Sequence, residues 1–211
     1  VGQGDCTIIQ TEGHNAMIDA GNNHEGKDVV DYLNQQGIDK LDYLILTHPD
    51  ADHIGGGDDV LEKIEVEQVI MPDVANDTMT YEEVMDDIEK ENDASVGIKL
   101  VHGENSFVMC GDASEKSESA MVKRFGSALE CDVLKCGHHG SRTSTSEVFL
   151  KATNPTWAVI SCGVDNSYGH PHQETLERLN NDDVQVYRTD LLGTIIATSD
   201  GTNISWFSEK E

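Results

Sequence analysis

A chain of 211 residues with 37% hydrophobic and 26% charged residues is long enough for one domain with a two- or three-layer core, and its composition excludes a disordered polymer. Forty acidic residues against 14 basic ones give a net charge of −26, a field that repels phosphate backbones at long range and leaves no basic stripe for coating duplex DNA. No apolar stretch reaches the ~20 residues of a bilayer-crossing helix and no basic-then-apolar signal segment opens the chain; VGQGDCTIIQ begins in mid-pattern, as though a leader or tether preceded it.

Taken in chain order, CTIIQ, NAMIDA, LDYLILT, EQVIM, VGIKLV, SFVMC, DVLKC, WAVISC, VQVY, GTIIATS and NISWF are short, β-branched or alternating apolar blocks that predict strands. Helical spacing predicts helices over Lys27–Gln36, Tyr81–Glu91, Glu115–Phe125, Ser146–Lys151 and Gln173–Asn180. The carboxylates of YEEVMDDIEKEND read as a solvated helix face. Turns at Glu12-Gly13 and Gly103-Glu104-Asn105 mark hairpins, which favours paired antiparallel strands over a purely parallel doubly wound sheet. Two sheets with helices outside, in one domain over residues 1–211, is the expected architecture. The five cysteines, Cys6, Cys110, Cys131, Cys136 and Cys162, have no close CxxC pair and read as small buried hydrophobes.

The chemistry concentrates in LILTHPDADHIGG, where His48, Asp50, Asp52 and His53 follow an apolar strand and precede a glycine run. Imidazole nitrogen and carboxylate oxygen both bind divalent ions at about 2.0–2.2 Å, and strand-end loops are where rigid scaffolds place function. Matching residues recur in the same setting: Asp112 in SFVMCGD, His138 and His139 in DVLKCGHHGS, and His170 in WAVISCGVDNSYGHP. Each follows an apolar strand and a glycine. Singly, Asp112 reads equally as the N-cap of the helix from Glu115 and His170 as a loop histidine; together they point to a metal centre. Asp19 in AMIDAG is expected to orient a metal-bound histidine from behind.

The order of Asp19, His-x-Asp-x-Asp-His, Gly-Asp, His-His-Gly-Ser and Gly-His-Pro resembles the metallo-β-lactamase superfamily. VGQGD, THPDADHIGG, GDA, HHGS and GHP are similar in particular to the β-lactamase-like domain of the ComEC family of competence proteins that import DNA. The resemblance covers essentially the whole chain. It implies an α/β fold, a four-layer αββα sandwich with a di-metal site at one edge, and a location outside the cytoplasm or at a bacterial membrane. It also implies that His48 and Asp50 hold one metal, that Asp52 and His53 hold the other, that Asp112 bridges and that His170 completes the second site. His138 or His139 then completes a site or faces the substrate, and Ser141 and Arg142 lie where an anionic substrate would be touched.

Two departures from the commoner superfamily pattern bear on the metal. Asp50 stands where most members carry a histidine, and the further histidine expected before the Gly-Asp strand has no good match: His102 falls at a hairpin turn, and Asn92, Asp93 or Ser95 would offer only oxygen. An oxygen-rich site favours Mn²⁺ or Mg²⁺ more than an all-nitrogen site does, beside Zn²⁺. Two divalent ions would activate a water, so no serine or cysteine nucleophile is needed, in keeping with the lack of a Gly-x-Ser-x-Gly elbow. The expected activity is metal-dependent hydrolysis of a phosphodiester, with single-stranded DNA among the substrates. Asp52 and His138 or His139 would be the catalytic groups. Hydrolysis of another bond (phosphorylcholine ester, lactam or thioester) and a non-catalytic module with a degraded site are the competing readings.

Overall fold

The computed structural model describes residues 1–72 and 95–210, so the expected helix over Tyr81–Glu91, with Asn92 and Asp93, lies outside the described residues. The chain forms two compact units, Val1–Val96 and Gly97–Glu211.

In the first unit, β1 (Thr7–Gln10) and β2 (Asn15–Ile18) form an antiparallel hairpin around Glu12-Gly13, pairing Thr7 with Ile18. Strand β3 (Lys40–Ile45) and strand β4 (Glu65–Ile70) continue the sheet in parallel, in the order β1-β2-β3-β4. The crossovers are α1 (Gly26–Gln35), then α2 (Ala51–Ile54) and α3 (Gly57–Lys63). Helix α1 buries Val29, Val30 and Leu33, one apolar stripe at helical spacing, in a core with Met17, Leu41, Leu44, Val60 and Ile64. Gly56 lets α2 and α3 close on the loop after β2, because a Cβ there would lie 2.3 Å from the Ala20 carbonyl oxygen.

The second unit is a five-stranded sheet in the order β5-β6-β7-β8-β9: β5 (Ile98–His102), β6 (Asn105–Met109), β7 (Val133–Lys135), β8 (Trp157–Ile160) and β9 (Gln185–Arg188). The β5–β6 hairpin turns at Gly103-Glu104, and the remaining ladders are parallel. Helices α4 (Glu115–Phe125), α5 (Glu147–Thr153) and α6 (Gln173–Asn181) connect them. Helix α7 (Thr189–Leu192) leads to a separate antiparallel hairpin, β10 (Ile195–Ser199) and β11 (Ile204–Ser208). Phe149, Leu150, Leu134, Ile160 and Leu179 form the core, with Cys110, Cys131, Cys136 and Cys162 among them. Burial pushes each of these four thiols up to about 12, which removes them as nucleophiles near neutral pH.

Every expected strand forms, and each lies within two residues of its expected bounds. The pairing differs from the sequence expectation. Among the described residues, only the three hairpins are antiparallel, while five ladders are parallel. The physical reason is that a helix between two strands carries the chain back to its starting end, which makes the next strand parallel. Short helices α2, α3 and α7 were not expected, because segments of four to seven residues show little periodicity and, unlike α5 with its Ser146 cap, none opens with a side-chain cap.

Candidate metal centre

Parallel pairing places the carboxyl ends of β2 and β3 at one edge of the first sheet and those of β6, β7 and β8 at one edge of the second. Every residue singled out from the sequence as ligand or orienting group follows one of these strands. Within each unit the repeated strand-glycine-ligand pattern is therefore a cluster in space.

In the first unit the hub is Asp19, 2% exposed and in a left-handed conformation with φ 57°. The Thr47 amide donates to its Oδ1 at 2.8 Å, the Thr47 hydroxyl donates to its Oδ2 at 2.8 Å, and His53 Nδ1 lies 2.8 Å from Oδ2. A carboxylate only accepts, so His53 carries its proton on Nδ1 and leaves the lone pair on Nε2. The Thr47 hydroxyl, having given its proton to Asp19, accepts from His48 Nδ1 at 3.0 Å, which fixes the same tautomer on His48. One carboxylate thus sets the protonation of both buried imidazoles, whose ring centroids are 4.0 Å apart.

His48 Nε2 then faces Asp50 Oδ2 at 3.5 Å. A lone pair opposite a carboxylate oxygen is repulsive unless a cation lies between them, and roughly 3.4 Å is the spacing of two donors on a tetrahedral ion with bonds of about 2.1 Å. The donor set therefore fits a divalent ion. Asp5, absent from the expected site, is buried, and ligand-type atoms of Asp5, Asp19 and His53 lie within 4.8 Å of one another. Thr47 was also missed. Its only signal in the sequence is its place directly before His48.

In the second unit Asp112 is buried after β6. The reading of Asp112 as a helix cap fails: Ser114 caps α4 by accepting from the Ser117 amide. Asp112 Oδ2 lies 3.5 Å from His138 Nε2 and 3.9 Å from His139 Nε2. His139 Nδ1 donates to the Ser161 carbonyl at 3.0 Å, so its Nε2 also turns a lone pair toward a carboxylate. The His170 ring centroid is 5.6 Å from that of His138 and 6.1 Å from that of His139.

Asn166, another residue that the sequence did not flag, closes the loop before His170. Its side-chain oxygen accepts from the His170 amide at 2.9 Å and its amide nitrogen donates to the His170 carbonyl at 2.6 Å. His172, also unflagged, accepts from the Arg142 amide at 3.1 Å. The Arg142 side chain is exposed, 3.9 Å from Glu174, whereas the buried Ser141 hydroxyl is engaged by Thr143 at 2.9 Å. His102 is exposed at the end of β5 and bonds Ser199 Oγ at 2.9 Å; it belongs to the β5–β6 turn.

Burial first, and then the neighbouring imidazoles of His138, His139 and His172, pull His170 down to about 4 from an ordinary 6.5. In the metal-free protein, the unfolded chain takes up a proton at this position as pH falls through 6.5, while the folded chain resists until about 4. The stability held above that window is lost on the way down. His170→Gln should flatten the drop in urea midpoint between pH 7 and about pH 4.5, and an identical drop in wild type and variant would contradict the assignment.

Residues 1–92 match the metallo-beta-lactamase superfamily, and the CmlA β-hydroxylase E377D mutant shares the fold at a TM-score of 0.56 with 10% identity, over 89% of this chain and 51% of that one. Over residues 1–92 the chain is similar to the metallo-β-lactamase superfamily, and its α/β fold is of that type. The chain is also similar to ComE operon protein 3 of Bacillus subtilis (32% identity; 80% of this chain, 26% of the relative). It is also similar to competence protein ComA of Neisseria gonorrhoeae (31%; 92% and 30%) and recombination protein 2 of Haemophilus influenzae (31%; 92% and 27%). It therefore spans between a quarter and a third of the length of these relatives. Among the described residues, no helix is long and apolar enough to cross a membrane.

Proposed function

We propose that residues 1–211 form one hydrolase domain that cleaves phosphodiesters with the help of two divalent ions held by His48, Asp50, Asp52, His53, Asp112 and His170. The observation that carries this reading is the tautomer set by Asp19, which aims His48 Nε2 at an Asp50 carboxylate oxygen across a cation's width. Bound ions would supply Lewis acidity and a water acidified toward neutral pH.

The chain's own residues would do the rest. His138, with 29% of its side chain exposed, is the imidazole placed to pass a proton to a leaving oxygen, whereas His139 is buried and tied to Ser161. Arg142, exposed and weakly held by Glu174, is free to hold a phosphate oxygen, and Ser141 shapes its loop. The competence and recombination names of the relatives favour DNA as the substrate. The net charge of −26 favours single strands delivered to the site over a broad duplex surface.

The test is turnover by metal-stripped, reconstituted protein on bis-p-nitrophenyl phosphate, p-nitrophenyl phosphorylcholine, single-stranded and duplex DNA, and a chromogenic cephalosporin. Phosphodiester cleavage is expected, with Mn²⁺ at least as effective as Zn²⁺, because Asp50 replaces a nitrogen donor and His102 lies on a turn. Zinc-only activity would contradict the oxygen-rich site. Cleavage of the cephalosporin alone would move the function to another bond, and no turnover by fully metallated protein would favour a binding module.

A further inference from the structure

The loop from Gly137 to Ser146 carries His138, His139 and Arg142, and three of its non-glycine residues have left-handed backbone: His138 at φ 51°, His139 at 54° and Thr145 at 50°. Left-handed backbone is strained for a non-glycine residue and persists only where its surroundings over-determine it. The surroundings here are two charged side chains from different helices. Glu118 of α4, 1% exposed, accepts from the amides of Thr145 and Ser146. Arg178 of α6 donates through Nη2 to the carbonyls of Arg142 at 3.3 Å and Ser144 at 3.0 Å, and to the Thr175 hydroxyl at 3.0 Å. Thr175 in turn donates to the Ser141 carbonyl at 2.9 Å.

These contacts fall on one side of the loop, C-terminal to the histidines, and grip mainly its backbone. The Ser146 cap of α5 needs only its own hydroxyl, which accepts from the Phe149 amide at 3.4 Å. A carboxylate with almost no exposure therefore does more than cap a helix. Burying it carries a desolvation cost that an apolar residue would avoid, and what the fold gains is a fixed path for a backbone that would otherwise relax. On that path His138 and His139 come within 3.5 and 3.9 Å of Asp112.

We infer that Glu118 and Arg178 are positioning residues that hold the left-handed His138–His139 turn in register with Asp112 by gripping the loop backbone from α4 and α6. The inference rests on the reading of His138 and His139 as site residues but not on the identity of the substrate.

The experiment uses the full chain with selectively ¹⁵N-labelled histidine, metal-free and metal-loaded, as wild type, Glu118→Gln and Arg178→Lys; His138→Gln and His139→Gln provide the assignments. Arg178→Lys keeps the charge but not the forked donor, and serves should Glu118→Gln fold poorly. The imidazole resonances of His138 and His139 are expected to move or broaden in both variants. Those of His14 and His24, with side chains 80% and 81% exposed in the other unit, should stay in place.

On whichever phosphodiester the wild type cleaves, kcat should fall about tenfold or more with KM within about twofold, as for a misplaced group that acts in the transition state. Unchanged His138 and His139 resonances in folded variants would overturn the inference and leave a purely structural role, whatever happens to the melting temperature. If the wild type cleaves no phosphodiester, the proposed function fails, and the resonances still decide whether the two side chains position the turn.

Discussion

Asp112→Asn should leave the protein folded and nearly inactive. The residue lies at a strand end outside both apolar clusters, so the melting temperature should move by only a few degrees. Its carboxylate, however, is the group toward which His138 and His139 both point, at 3.5 and 3.9 Å. An amide carries no charge to balance a divalent ion, and if Asp112 bridges two ions the loss is felt at both. Phosphodiester turnover should fall on the order of 100-fold or more, together with metal content per chain. His138→Ala should retain metal while losing rate, as expected of a proton donor. Wild-type turnover in Asp112→Asn would rule out the bridging role.

The largest expected effect on stability belongs to Asp19. Removing the carboxylate in Asp19→Ala strands three buried donors: the Thr47 amide, the Thr47 hydroxyl and His53 Nδ1. At about 1–3 kcal/mol for each unsatisfied group, with neighbours partly compensating, a loss of roughly 3–5 kcal/mol is expected, or about 10 °C in melting temperature. Asp19→Asn keeps an acceptor and tolerates φ 57°, so it should melt within a few degrees of wild type. It would still weaken metal binding about 10- to 100-fold, because the amide no longer enforces the histidine tautomers. Calorimetry with metal titration distinguishes the two. If Asp19→Asn matched wild type in metal affinity, the carboxylate would be structural only.

The strands and the three longest described helices were legible because period and length announce them, and the ligand-type residues were legible because they sit in one repeated context. Strand direction was not. Glu12-Gly13 and Gly103-Glu104 advertise hairpins locally, whereas the parallel ladders of β2, β3 and β4 arise from crossovers that no short window contains. The supporting residues were hidden for a related reason. Thr47 acts through the Asp19 carboxylate, and Asn166, Glu118 and Arg178 act through hydrogen bonds to backbone; a threonine, asparagine, glutamate or arginine in such positions looks like any other loop or surface residue. Asp19 was the exception, since an acid directly after an apolar strand in that order of motifs has few other uses.

With His48 and His53 as the proposed ligands, the link between β2 and β3 would also make metal affinity a check on correct folding. Ile18 pairs with Ile45, and the next residue, Asp19, donates its amide to the Ile45 carbonyl at 2.8 Å while its carboxylate holds Thr47. A slip of one residue in that ladder would turn Asp19 to the opposite face and leave His48 and His53 without a fixed proton position. Chains with the wrong register would then lack the ligand geometry, so loading with metal selects properly paired molecules and draws the folding equilibrium toward them.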